Sequence, residues 1–186
     1  MDGSALTAHA NATVPGVELS TGSLGHGLPV GVGMALGATL SNVSWRTVVI
    51  LSDGECNEGS TWEAILAAGH LHLEHLVAIV DYNHMQALGS THEVMELDPL
   101  ADKWASFGWA VRAVDGHDVS ALEAALAGAP FERGKPSVLI AQTQMGKGIS
   151  FMEGKLEWHY LKPSPGHVAQ GLEELSDSCA TPSLRP

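Results

Sequence analysis

Two oxygen-bearing side chains, Asp53 and Asn83, carry the first chemistry this sequence suggests. Asp53 sits in Ser52-Asp-Gly-Glu-Cys-Asn-Glu-Gly59, directly after the apolar run 47–51, and Asn83 closes Asp81-Tyr-Asn83, directly after the apolar run 76–80. Their spacing of 30 residues is one strand-helix-strand unit, so both arrive at the ends of neighbouring strands. A carboxylate, an amide carbonyl and a main-chain carbonyl are hard ligands suited to Mg²⁺, which would keep octahedral positions for diphosphate oxygens and water. Either residue alone would more simply cap a helix or build a turn. Their joint placement favours the ligand reading.

The turn at 52–59 is also rich in small residues and leads into a helix, an arrangement that turns backbone N–H groups toward an anion. A second Gly-dense loop, Ser20-Thr-Gly-Ser-Leu-Gly-His-Gly27, precedes a helix whose Gly31, Gly33 and Gly37 permit close packing. Neither common nucleotide signature fits. Gly25-x-Gly27 has Val30 where a dinucleotide fingerprint needs glycine, and Gly146-Lys147-Gly148 lacks the earlier glycine of a phosphate-binding P-loop.

The remaining reactive residues read as structural. His70, His72 and His75 suggest a metal cluster by composition, but positions 70 and 72 face different sides of a helix and no thiolate or carboxylate completes the set. Cys56 lies beside the 52–59 turn without a basic neighbour to stabilise a thiolate.

The elements that must position these loops follow from the apolar pattern. Runs at 47–51, 76–80 and 137–141 are short and rich in β-branched residues, as expected of parallel strands buried on both faces, and 109–114 is a weaker fourth strand. Helical stretches at 28–40, 60–70, 100–107 and 120–127 alternate with them, with Asp118 or Ser120 available to cap the last. The expectation is an α/β fold: a doubly wound, mostly parallel sheet with helices on both faces, in one domain over 1–170. Residues 171–186 show no sustained period and are expected to form a flexible tail.

Composition narrows the function. The chain has 186 residues and a formal net charge of −12, from 9 Lys and Arg against 21 Asp and Glu, so a polyanionic partner such as nucleic acid would be repelled. Two cysteines make no disulfide framework, no secretory leader is visible at the start, and no apolar run approaches the ~20 residues that span a bilayer. These features suggest a cytoplasmic protein with neither membrane nor nucleic acid as partner.

With those residues in view, the sequence resembles the diphosphate-binding domain of transketolase-type thiamine diphosphate enzymes. The resemblance rests on the metal motif, a Gly-Asp-Gly followed some thirty residues later by Asn, represented here by Ser52-Asp53-Gly54 and Asn83. It extends over Pro15-Gly-Val-Glu18, Thr21-Gly-Ser-Leu-Gly-His-Gly27, residues 55–64, Asp98-Pro-Leu-Ala-Asp-Lys-Trp104, Phe107-Gly-Trp109, Asp115-Gly-His-Asp118 and Gly146-Lys-Gly148, all in family order. Ser52 departs from the family's first glycine, and Tyr82, His84 and Leu88 replace residues that are commonly polar or Gly.

The resemblance implies that Asp53 and Asn83 supply side-chain ligands to Mg²⁺, and Met85 a main-chain one. It implies that Gly22 and Gly54 lie close to the diphosphate, with Ser23, Glu55 and Asn83 also in the cofactor site and Leu24 either against a cofactor ring or simply in the core. By the same match His9, six residues before Pro15, would face the reacting carbonyl. His159 would meet the diphosphate or substrate, and Glu58 would link two active sites across a subunit interface. A histidine titrating near neutrality can donate or accept a proton in either role.

The family's pyrimidine-binding domain has no counterpart in this sequence, nor has the segment that precedes Pro-Gly-Val-Glu in family members. The expectation is therefore one subunit of a split transketolase-like enzyme, working with a pyrimidine-binding-domain subunit in a heterotetramer or larger assembly. A further chain would supply the leading segment; a divergent, trimmed domain or a wrongly recorded start are the alternatives. The activity implied is transfer of a two-carbon ketol unit from a ketose-type donor to an acceptor. A dehydrogenase-type E1 component passing the unit to a carrier thiol, or a noncatalytic interaction subunit, are the alternatives.

Overall fold

The protein is represented by a computed structural model that describes residues 9–180, with side chains described to 176. Its centre is a four-stranded parallel sheet of β1 (Thr47–Ser52), β2 (Leu76–Tyr82), β5 (Ala110–Asp115) and β6 (Ser137–Gln142), in the spatial order β1-β2-β6-β5. Helix α1 (Gly27–Leu40) precedes β1, and α2 (Gly59–His70), α3 (Thr91–Val94), α4 (Leu100–Ser106) and α5 (Val119–Ala127) lie between the strands. A two-stranded hairpin of β3 (Met85–Gln86) and β4 (Gly89–Ser90) follows β2. The expected fold class is the observed one: all four apolar runs form parallel strands, and the weaker run pairs with β6 at the edge.

Side-chain alternation divides the sheet into two faces. Leu51 of β1, Leu76, Ala78, Val80 and Tyr82 of β2, and Val138 and Ile140 of β6 join the main core with Leu28 and Ala35 of α1, Ile65 and Ala68 of α2, and Trp104 of α4. The opposite face buries Val77, Leu139 and Ala110 and carries α5 against β5, which puts helices on both sides. This second face is covered unevenly. Val48 and Ile50 of the edge strand β1 remain 49% and 71% exposed, although their sequence is as apolar as that of a buried strand.

One close backbone approach and one side-chain hydrogen bond set the position of α2 against α4. A Cβ on Gly69 of α2 would lie 1.9 Å from the carbonyl oxygen of Phe107, so only glycine lets α2 meet the end of α4. Trp109 then donates from Nε1 to the carbonyl of Ile65 at 2.9 Å and packs edge-on against Trp104, with ring centroids 4.8 Å apart. Asp118, one of the two anticipated caps, is the one used: its carboxylate accepts from the N–H of Ala121.

The stretch from residue 171 is the one expected to form a flexible tail. A further helix, α6 (Pro165–Ala180), runs through it, while residues 181–186 lie outside the described ones. Ser164 caps its start by accepting from the N–H of His167, and Pro165 occupies the first helical position, where a missing N–H costs nothing. Glu174 accepts from both the N–H and the hydroxyl of Ser150 at 2.7 Å, anchoring the helix to the loop after β6.

Candidate cofactor and metal site

The carboxyl ends of β1 and β2 are adjacent because the strands pair in register from Thr47↔Leu76 to Ser52↔Asp81. The N–H of Asp53 continues the ladder by donating to the carbonyl of Asp81. Beyond it the chain turns through a short 3₁₀ segment, Gly54–Asn57. Asp53 Oδ1 caps that segment by accepting from Gly54 N at 2.7 Å, while Oδ2 is buried without a hydrogen-bond partner among the described residues. Burial raises the Asp53 carboxyl above its ordinary range, and the charge of Asp81 adds to this. The N–H groups of Gly54, His84 and Asn83 work in the opposite direction. The carboxylate is thus next to the Asn83 loop.

On that loop Asn83 Oδ1 accepts from the N–H of Met85 at 2.8 Å, and His84 bridges the two with a positive φ of 62°. The turn brings the Asn83 amide and the Met85 main chain to the end of β2. Gln86 reaches back from β3, donating to Asn57 Oδ1, and its Cβ would stand 3.1 Å from a Cβ on Gly54. The donor set fits a hard divalent cation: one buried carboxylate oxygen left unpaired, an amide oxygen and a carbonyl, with no thiolate or imidazole among them. Among the described residues, no group of three His, Cys, Asp or Glu could hold a metal, which leaves His70, His72 and His75 without the role their composition suggested.

The departure at Ser52 has a structural use. Its hydroxyl accepts from the N–H of Glu55 at 3.1 Å and so helps close the turn. Cys56 is completely buried, and burial together with the charges of Asp53 and Glu55 pushes its thiol up to about 12, which fits the structural role read from the sequence.

The second Gly-dense loop lies against the first. Glu55 Oε1 accepts from Gly25 N at 3.0 Å, and Ser60 Oγ donates to the carbonyl of Gly25 at 2.7 Å. Gly22, Ser23 and Leu24 form the exposed part of the loop, with Leu24 49% exposed rather than in the core. The ring of His9 comes within 3.4 Å of where a Cβ on Gly22 would be, so the structure brings His9 and Gly22 together. Glu58 is exposed at the start of α2. His159 is exposed in a second 3₁₀ turn, Leu156–His159, which contacts β3 and therefore the Met85 end of the site. Sequence reasoning missed the Ser60 hydroxyl and the bond between Gln86 and Asn57; neither has a local pattern, because both link loops far apart in the chain.

A parallel α/β sheet with an acidic turn at its carboxyl end and a glycine loop beside it is the arrangement of a cofactor-binding domain. Comparison with known proteins makes this specific. The family model described as "Transketolase, thiamine diphosphate binding domain" matches residues 3–163, and the chain belongs to that family. It is 41% identical over 175 residues to an apulose-4-phosphate transketolase subunit of Phocaeicola vulgatus, covering 94% of this chain and 62% of that protein. It is 45% identical over 147 residues to a 6-deoxy-6-sulfo-D-fructose transketolase subunit of Clostridium sp., covering 79% of this chain and 54% of that one. Among solved structures, transketolase from Campylobacter jejuni superposes with a TM-score of 0.80 at 26% identity over 87% of this chain and 26% of its own. A Pichia stipitis transketolase in complex with sedoheptulose 7-phosphate superposes with a TM-score of 0.73 at 30% identity, over 91% of this chain and 30% of its own. The chain thus spans about three fifths of the length of the curated subunits it matches.

Proposed function

We propose that this chain is the thiamine diphosphate- and Mg²⁺-binding subunit of a split transketolase-like enzyme. With a partner subunit that supplies the pyrimidine-binding domain, it transfers a two-carbon ketol unit from a ketose-type donor to an acceptor. The observation that carries the reading is the unpaired, buried Oδ2 of Asp53 beside the Asn83 turn. A lone carboxylate oxygen in that position is costly unless a cation completes it. The names of the two relatives, both transketolase subunits, support the division of labour.

When bound, thiamine diphosphate supplies the carbanion chemistry that breaks and forms the bond next to the ketone. This chain's residues hold and orient. Asp53 and Asn83, with the carbonyl of Met85, would hold Mg²⁺ and through it the diphosphate. Gly54 and Gly22 keep the backbone close to the phosphates, with Ser23 and Glu55 in the same cofactor site. Leu24, exposed on its loop, would lie against a cofactor ring. His9, beside Gly22, would hold or pass a proton at the reacting carbonyl, and His159 would contact the diphosphate or substrate. Glu58 would lie at the subunit interface. The uncovered Val48 and Ile50 on β1 support a further chain packing over that face, in a heterotetramer or larger complex in the cytoplasm.

Isothermal titration of the purified chain with thiamine diphosphate tests the reading, with Mg²⁺ and then with EDTA, alone and with the partner subunit. Binding that requires Mg²⁺ and disappears in Asp53→Ala is expected. Assembly with the partner without any cofactor binding would instead make this a noncatalytic subunit.

A further inference from the structure

The Gly54–Asn57 turn does more than follow Asp53. We infer that Glu55 is a positioning residue that locks the 20–27 loop to the metal-end turn, so that both ends of the cofactor site move as one rigid unit. The inference rests on the proposed cofactor role, but its geometry belongs to the chain alone.

The grip on Gly25 is two-sided. Glu55 Oε1 takes its N–H at 3.0 Å, and Ser60 Oγ donates to its carbonyl at 2.7 Å. Gly25 has a φ of +79°, and a Cβ there would fall 2.5 Å from Ser60 Oγ and 2.8 Å from Glu58 Cβ, so no side chain can enter the clasp. Glu55 itself is 8% exposed and is held from behind: its N–H donates to Ser52 Oγ, and its carbonyl accepts from Thr61 Oγ1 at 3.0 Å. The carboxylate also lies at the start of α1, where His26 provides no side-chain cap and the first turn has no acidic residue. The bond to Gly25 N–H, one residue before that N-cap, holds the chain as it enters α1. Three residues before Gly25 is Gly22, with the His9 ring against it. The clasp therefore fixes the base of the segment that exposes Gly22, Ser23 and Leu24, at a turn beginning one residue after Asp53. Glutamate suits the task because its side chain is long enough to carry an acceptor oxygen from the Gly54–Asn57 turn to the N–H of Gly25.

Hydrogen-deuterium exchange on the full-length chain without ligand, together with titration of thiamine diphosphate and Mg²⁺, tests this. In Glu55→Ala, exchange over residues 20–28 should rise about tenfold while β2 and β6 stay as in the wild type, and the cofactor Kd should rise about tenfold. Glu55→Gln, which keeps an acceptor of the same shape, should restore most of both. If Glu55→Ala fails to fold, Ser60→Ala carries the test and should loosen the same residues by a smaller factor. Unchanged exchange over 20–28 in the variant that folds, or a rise spread evenly over the sheet, would overturn the inference. Loosening of 20–28 in a chain whose wild type binds no cofactor even with the partner subunit present would leave the clasp supported and overturn the cofactor reading instead.

Discussion

Ser52 Oγ accepts from the N–H of Glu55 at 3.1 Å, so a residue that departs from the family's glycine builds the turn that follows Asp53. Replacing it by Ala removes that acceptor at a partly buried bond and should cost about 1 kcal/mol of stability. Replacing it by Gly, the family residue, should cost about 2 kcal/mol, because the freer backbone adds to the lost bond. Urea denaturation followed by tryptophan fluorescence measures both, and a Gly variant more stable than the natural chain would contradict the assigned bond.

Asp53 separates stability from function. Asn at this position keeps the Oδ1 acceptor for Gly54 N and removes a buried carboxylate whose second oxygen is unpaired. Without ligand, Asp53→Asn should therefore melt at the same temperature as the wild type or above it. The stabilisation that Mg²⁺ and thiamine diphosphate give the wild type, about 2.7 kcal/mol at a hundred times Kd, should be lost, and with it the rise in melting temperature. EDTA should have the same effect on the wild type. Differential scanning fluorimetry reads all three.

Glycines in helices should split by environment. Gly69→Ala forces a Cβ to within 1.9 Å of the Phe107 carbonyl and should cost about 3 kcal/mol as α2 is pushed off α4. Gly33→Ala in α1 meets nothing within 4 Å and should stabilise the isolated chain by about 0.5–1 kcal/mol. Chemical denaturation of the two variants side by side checks the contrast.

The faces of β1 should differ likewise. Leu51→Ala, at 1% exposure in the main core, should cost about 2–5 kcal/mol, whereas Ile50→Lys, at 71% exposure, should stay within about 0.5 kcal/mol of the wild type in the isolated chain. Analytical ultracentrifugation of the complex with its partner subunits should nevertheless show weaker assembly for Ile50→Lys. Equal assembly would mean that no chain covers that face.

Much of the architecture was legible in the sequence because it depends on local pattern. Four apolar runs became the four parallel strands, and the helices at 28–40, 60–70, 100–107 and 120–127 appear within a residue or so of where periodicity and caps put them. Residues 165–180 were harder to read, since Gly171 interrupts the pattern of Val168, Leu172 and Leu175 and the helix depends on an anchor from Glu174 to Ser150. The Ser164-Pro165 start was the signal available. Asp53 and Asn83 could be picked out together because one strand-helix-strand unit fixes their separation, and the pairing of β1 with β2 brings their turns side by side.

What the sequence determined by itself is the set of elements, the acidic surplus and the oxygen-bearing side chains at two strand ends, all of which follow from residue type and short-range spacing. The tertiary structure decided the strand order β1-β2-β6-β5, the uncovered outer face of β1 and the clasp of Glu55 and Ser60 on Gly25. These depend on which distant segments meet: Asp53 and Glu55 are both buried, and only the fold gives Glu55 Oε1 a partner in Gly25 while leaving Asp53 Oδ2 without one among the described residues.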